Sequence, residues 1–405
     1  MSRVIGSHPS DAPPPPEPEE GGFQTSRVVT LAGGHAVHDS FTAFLPRLLP
    51  QFIDKFSLSN TAAGALSSVL GLPGLLQWAI GHLADRTTLR WIVVMGPAVT
   101  SILMASLGWA PTYAVLAVML FFAGISVAAF HATAPVAAGR LSGRQLGKGM
   151  GLWMVGGELG RTVGPLVATA GLTYLTLKQM AFLAVAGVAT SAVLHFRLRG
   201  VSLRTHREGD RIPWRSAVGG MRRLMTILAG VMILRSLMMT ATSLFLVVYL
   251  TDEGSSPWVA GAALSIFEGA GVVGALSGGW VSDHLGRRTV VYASQIGAPL
   301  ALFLFLATDG WLRIAVLPLV GLTLLSVTPV FMAMVQEEFP DSRALANGTY
   351  LSVHYAIRTV ATVGFGALGD AFGLTTAMAI SGFTMLGAIP LVWLLPERHR
   401  AARAR

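Results

Sequence analysis

The chain has 405 residues, of which 53% are apolar and 12% charged, and its mean hydropathy is +0.61. Soluble domains carry about a quarter charged residues, so a set of water-soluble domains is excluded and a membrane-embedded chain is implied. The formal charge of +9 lies in short loops between apolar runs, which argues against a nucleic-acid partner, and the lack of cysteine excludes disulfides and thiolate metal sites.

Residues 1–26 are polar, with prolines at Pro13 to Pro16 and acids at Glu17, Glu19 and Glu20. They lack the basic-then-apolar order of a cleaved signal peptide, and are expected to form a disordered cytoplasmic tail. A bilayer-crossing helix needs about 20 mostly apolar residues. Such runs lie near 28–50, 61–83, 91–109, 112–138, 149–171 and 178–196. They recur near 224–250, 258–282, 289–307, 312–335, 346–369 and 372–395. The expected fold is an all-α integral membrane protein of about 12 transmembrane helices in two pseudo-symmetric six-helix bundles, 27–196 and 224–396. A basic cytoplasmic linker, 197–223, joins them, and a basic tail, 397–405, follows.

With the N-terminus inside, the cytoplasmic segments collect 22 of the 29 Lys and Arg residues. The opposite side keeps only Lys55, Lys178 and Arg313, and four arginines fall within spans. The positive-inside rule therefore places both termini in the cytoplasm. Arginine outnumbers lysine 26 to 3, which reads as genome composition. The expected location is a bacterial plasma membrane, crossed many times.

The halves repeat one another. Gly81, Asp85, Arg86 and Arg90 close the second span, and Gly279, Asp283, Gly286, Arg287 and Arg288 close the eighth. An acid at a helix end with arginines beyond can pair with them or with a neighbouring helix N-terminus, fixing the loop against the other half. This pattern resembles the signature loop of the major facilitator superfamily, although the first copy carries Thr88 and Leu89 where glycine and arginine are usual. A finer resemblance links Gly34-His35, His38-Asp39, the Phe-Ser-Leu-Ser run at 56–59 and Phe130-His131 to fosmidomycin-resistance-type efflux proteins. Ala132 stands where that branch usually has proline. The resemblance implies secondary transport without enzymatic activity, with gating at the two loops. Gly160, Gly164 and Pro165 resemble the antiporter signature of exporting members, but Ala168 and Thr169 replace the glycine pair that usually follows.

Ionisable side chains inside a span usually face a bundle interior or a water-filled cavity. Here they fall on the first span (His35, His38, Asp39), the fourth (His131) and the fifth (Glu158, Arg161). The seventh carries Arg235, the eighth Glu268 and the eleventh His354 and Arg358. The third, sixth, ninth and twelfth spans have none near mid-depth, as expected of helices peripheral to a central cavity. His35, His38 and Asp39 share one helical face. Asp39, both histidines and Glu158 are proton-coupling candidates, although a structural pairing between helices would use the same groups. His131, Arg161, Arg235, Glu268, His354 and Arg358 are candidates for the substrate cavity. Glu158 and Arg161 could instead neutralise each other, and Arg47 reads as interfacial or structural. His35 and His38 lack the companions for a metal cluster, and no nucleotide-binding loop is present. The expected partners are protons, a small-molecule substrate and lipid, the chain acting as a monomer with a proton gradient in place of a cofactor. Efflux of a drug-like or anionic compound leads. Proton-coupled import of a metabolite and a lipid-handling or sensor role on the same fold remain open.

Overall fold

In hydrocarbon every backbone N–H and C=O must find an internal partner, so apolar runs of this length fold as helices. The computed structural model describes residues 22–77, 90–143, 145–200, 214–339 and 343–396, and these form helices and short turns. The first half runs α1 (Thr25–Thr42), α2 (Phe44–Phe56), α3 (Asn60–Gly71, continued by a 3-10 turn Leu72–Leu76), α4 (Arg90–Ala105), α5 (Tyr113–Leu141), α6 (Leu146–Tyr174) and α7 (Ala184–Arg197). The second half runs α8 (Trp214–Ser243), α9 (Leu246–Asp252), α10 (Pro257–Leu285), α11 (Arg287–Leu306) and α12 (Gly310–Leu325). It ends with α13 (Thr328–Glu338), α14 (Arg343–Phe372), α15 (Leu374–Leu386) and α16 (Ile389–Trp393).

These helices trace twelve crossings, because the first, seventh, tenth and twelfth spans are each broken into two. The first breaks at Ala43 and the seventh at Leu244–Phe245, where hydropathy alone shows one continuous run. Helix α8 starts at Trp214, within the stretch read as linker; a helix can extend beyond the apolar stretch that marks its span. Residues 1–21, 201–213 and 397–405, parts of the expected tails and linker, lie outside the described residues, as do Gly81, Asp85 and Arg86 of the first loop.

The duplication is visible in the helix starts. Helices α3, α4, α5 and α6 begin at Asn60, Arg90, Tyr113 and Leu146, and α10, α11, α12 and α14 begin at Pro257, Arg287, Gly310 and Arg343, the same 197-residue offset each time. The crossings alternate between a terminal end, which carries Thr25, Arg197 and Leu395, and a far end, which carries the turns before α3, α10 and α15. At the far end Ser59, Thr112 and Ser256 cap α3, α5 and α10 by accepting from the amides of Ala62, Val115 and Val259.

The halves meet where α3 lies along α14, α6 along α10 and α2 against α9. Two glycines at the 197-residue offset make the first two approaches possible. A Cβ on Gly64 would collide with the Thr362 carbonyl of α14, and one on Gly261 with the Thr169 hydroxyl of α6. Between lipid-immersed helices such close approach supplies the packing energy, since lipid is as apolar as the side chains. One buried apolar cluster spans both halves at the far end, joining Phe44, Leu48 and Phe52 to Phe245, Tyr249 and Phe365. Toward the terminal end there are two separate clusters, one around Val93, Phe130 and Trp153 and one around Val291, Phe331 and Val335. The molecule is thus closed at its far end. Outward-facing Ile102, Phe122, Leu300, Leu319 and Phe383 are exposed and give it an apolar surface for lipid.

Candidate functional site

The site is built on the contact between α1 and α6. Gly156, Gly160 and Gly164 recur every four residues on α6, and a Cβ on any of them would strike the backbone of Ala32, Ala36 or Ser40 on α1. The two backbones therefore touch, and the polar face of α1 is pressed toward α5 and α6. A side chain at Gly157 would occupy the place of the His35 ring. That ring stacks on Trp153 with centroids 3.7 Å apart, and the His38 ring stacks on Phe130 at 4.2 Å.

Hydrogen bonding then fixes the tautomers. His35 Nδ1 lies 2.8 Å from the Trp153 carbonyl, and His131 Nδ1 lies 3.0 Å from the Val127 carbonyl. A carbonyl only accepts, so both rings donate from Nδ1, and in their neutral forms each presents a bare lone pair at Nε2. Those two Nε2 atoms face each other at 3.3 Å. The Asp39 carboxylate lies 3.3 Å from the first and 3.4 Å from the second. Three acceptors converge with no hydrogen between them, so the arrangement is favourable only with a positive charge in its midst. One added proton turns the mutual repulsion into an imidazolium–carboxylate pair. The ligand atoms of His35, Asp39 and His131 lie within 4.8 Å of one another, near enough to share a single small cation. Chain spacing showed no companion for His35 and His38; the fold supplies one from α5.

His38 is placed differently. Its Nδ1 donates to Asp39 at 2.9 Å, its Nε2 accepts from the Thr100 hydroxyl at 3.0 Å, and Thr100 in turn accepts from Ser126 at 2.8 Å. Its ring is fully buried and its hydrogen bonds are complete when neutral. It orients the carboxylate. His131 alone of the three histidines opens toward water, with 27% of its side chain exposed.

Around this cluster lie the other charges. Glu158 and Arg161 pair with each other on α6. The Arg161 side chain is 45% exposed and lies within electrostatic reach of Glu268 and Asp39. Glu268 on α10 is half-buried, and Arg358 on α14 is exposed and within reach of it. Neither Glu268 nor Arg358 makes a hydrogen bond or ion pair among the described residues. Arg161 and Arg358 stand 197 residues apart, at equivalent positions of the two halves. Arg235 is elsewhere: it is buried inside the second half and donates to Ser294, Gln295 and the Leu324 carbonyl, all neutral, rather than to Glu268. His354 is half-buried beside Tyr350 and Tyr355. Pro165 follows Gly164 within α6.

At the terminal end, the second loop turns at Gly286, whose φ of +97° favours glycine. Arg287 pairs with Asp283 at 2.6 Å and with Glu337 of α13 at 2.7 Å, and Arg288 reaches the Leu395 carbonyl. Gly279 lies one turn before, with open space at its Cα. Arg90 starts α4 and donates to the His195 carbonyl at 3.0 Å. At the far end Asp370, in the last turn of α14, accepts from the amides of Asn60 and Thr61 at 2.7 and 2.9 Å and from the Thr61 hydroxyl at 2.6 Å. It caps a helix of the opposite half. Sequence reading passed over Asp370, Trp153 and Thr100. The first sits at a span end, the second acts through its carbonyl, and the third is a neutral residue on a peripheral helix.

A family model described as the Major Facilitator Superfamily matches residues 31–228 and again 228–405. The chain is 26% identical over 379 residues to the uncharacterised MFS-type transporter YfnC of Bacillus subtilis, covering 90% of this chain and 91% of that protein. It is 23% identical over 374 residues to the fosmidomycin resistance protein of Escherichia coli, covering 90% and 92%. Among solved structures, a mutant of the nucleoside transporter NupG superposes with a TM-score of 0.75 at 15% identity, over 92% of this chain and all of that one. A bacterial homologue of the human lysosomal transporter Spinster, in an inward-facing and occupied conformation, gives 0.73 at 14%, over 92% and 95%. Both share the fold.

Proposed function

The chain belongs to the Major Facilitator Superfamily, so it is a membrane transporter and not an enzyme, and we propose that it exports a small compound in exchange for protons by alternating access. The observation that carries the coupling is the convergence of the His35 and His131 Nε2 lone pairs on the Asp39 carboxylate. Such a cluster holds a proton between acceptors on two helices, α1 and α5, with α6 fixing the His35 ring through the Trp153 carbonyl. The export direction is supported by the likeness to a fosmidomycin resistance protein and by the Gly160, Gly164, Pro165 run. The charge asymmetry of the loops supports a cytoplasmic terminal end, and on that orientation the far-end closure supports reading this as an inward-facing state. In that state Arg161, Glu268 and Arg358 line the route on the cytoplasmic side of the seam. Proton and substrate meet at one group of charges, since Arg161 lies within electrostatic reach of Asp39, and exchange requires that loading one species disfavour the other.

The test uses the purified chain in proteoliposomes, with fosmidomycin as the first solute in a panel of small anions and neutral drugs. Asp39→Asn removes the acceptor that the two histidines share and is expected to abolish accumulation driven by an imposed pH difference. Solute exchange without a gradient is expected to persist. A variant that still concentrates solute under a pH difference rules out Asp39 as the carrier, and one that loses exchange as well assigns it to packing.

A further inference from the structure

We propose that Arg47 and Thr169 form an anion subsite on the same route, beyond the charged layer toward the far end, for one oxyanionic group of the transported compound such as a carboxylate, phosphate or phosphonate. This rests on the transporter reading and adds to it a residue that sequence position marked as interfacial or structural. Arg47 is among the largest fully buried side chains, only 2% exposed. Its Nε donates to the Thr169 hydroxyl at 2.8 Å, and Thr169 passes its own proton to the Pro165 carbonyl at 2.7 Å. The hydroxyl is therefore oriented as an acceptor, and only Nε is used. Among the described residues no carboxylate pairs with Arg47, and the two terminal nitrogens, the edge that binds oxyanions in bidentate fashion, make no hydrogen bond. A buried cation without a counter-charge is costly, and it stands here on a helix at the contact between the halves.

Its position gives it a use. Arg47, Thr169 and Gly261 stand two helical turns from Asp39, Arg161 and Glu268 on α2, α6 and α10, each toward the far end. Gly261 of the second half rests directly on the pair, since a Cβ there would strike Thr169 Oγ1 and come within 3.2 Å of Arg47 Nε. Parting the halves at the far end lifts Gly261 away and uncovers the guanidinium. Thr169 replaces the second glycine of the pair that usually follows the antiporter run, so the departure from the family pattern is where Arg47 is held. A compound bearing an oxyanion leaves a layer where Arg161 and Arg358 share their field with Asp39, Glu158 and Glu268 and meets a cation without a counter-charge on its way out.

The test is the thermal stability of the full purified chain in lipid nanodiscs, at constant ionic strength, against inorganic phosphate, methylphosphonate and acetate, with methylammonium as the cationic control. Binding to the folded state raises the midpoint in a saturable way. The wild type is expected to respond to at least one anion and not to methylammonium. Response to the organic anions above inorganic phosphate assigns the subsite to the transported compound, and the reverse assigns it to free phosphate. Arg47→Gln is expected to lose the response, and Thr169→Val, which keeps the guanidinium but frees its orientation, to weaken the apparent affinity about tenfold. An unresponsive wild type overturns the proposal. So does an Arg47→Gln protein that responds like the wild type or, should Arg47→Gln not fold, a Thr169→Val protein with unchanged affinity. Counterflow in proteoliposomes separates this from the function: wild type that moves solute while the variants handle anionic and neutral solutes alike removes the subsite only. Wild type that binds anions through Arg47 yet moves no solute removes the transport reading only.

Discussion

His35 and His131 each commit Nδ1 to a backbone carbonyl, and this small detail separates the three histidines by role. His131 is the one whose ring meets water, and replacing it with Asn removes an Nε2 from the shared site while leaving α5 one lost carbonyl bond. His131→Asn is expected to flatten the pH profile of transport and to change unfolding stability by no more than about 1 kcal/mol. His38→Ala is expected to do the reverse. It empties a fully buried ring site stacked on Phe130 and breaks the links to Asp39 and Thr100, a loss of about 2–4 kcal/mol. Thermal unfolding and proteoliposome assays at several pH values read both, and a His131 variant that unfolds early but keeps its pH profile refutes the division. The sequence showed His35, His38 and Asp39 on one face because helical periodicity is local. It could not show that His131, 96 positions from His35, completes the cluster, since that depends on how closely α1, α5 and α6 approach. Of the two readings of Arg47, interfacial or structural, its burial fits the second: depth in the membrane predicts exposure to headgroups only for a side chain that points outward, and this one points inward.

The helices come together through missing side chains. Gly160 lies against the backbone of Ala36 and Ser40, and a Cβ there would come within 2.9 Å of Asp39 Cβ. Gly160→Val is expected to push α6 off α1 and to cost more than about 3 kcal/mol of stability, with loss of folded yield. Gly33→Ala, at an exposed position of α1 where a Cβ meets nothing, is expected to gain about 0.5–1 kcal/mol from helix propensity. Equal tolerance of the two substitutions, measured as folded yield and unfolding midpoint, refutes the close contact of α1 with α6. Hydropathy made the spans legible because the bilayer demands continuous apolar length. It said nothing of the interruptions at Ala43 and Leu244–Phe245, where the run stays apolar while the hydrogen-bond ladder changes. Nor did it show where α8 begins, since Arg215, Arg222 and Arg223 are polar residues in a helix that has left the hydrocarbon.

The two halves are held shut by Asp370 and by the paired glycine approaches of Gly64 and Gly261. Partial burial pushes Asp370 up, but hydrogen bonds from the Thr61 hydroxyl and amide and the Asn60 amide outweigh it and hold the carboxyl below the usual carboxylate range. A group lowered in this way stabilises the closed form above the ordinary carboxylate value and loses that contribution as the pH falls through its own. Asp370→Asn is expected to lower the unfolding midpoint equally from pH 8 to pH 5, with the gap to wild type closing below about pH 4. No gap at neutral pH, or one that persists under acid, refutes the capping role. The duplicated plan was readable from the two loop motifs, and the 197-residue offset of the helix starts carries it through both bundles. The cross-half cap was not readable, because an acid at a span end has no visible partner until the other half is in place. A further consequence follows from the glycine approaches. Where backbone rests on backbone there is no gap wide enough for a file of water, and protons hop along water. Under the proposed proton exchange the seam works as an electrical insulator: it keeps the membrane potential from discharging through the transporter while the triad faces the other side. Any widening of it would appear first as a short circuit, with energy dissipated at rest, before it appeared as slower transport.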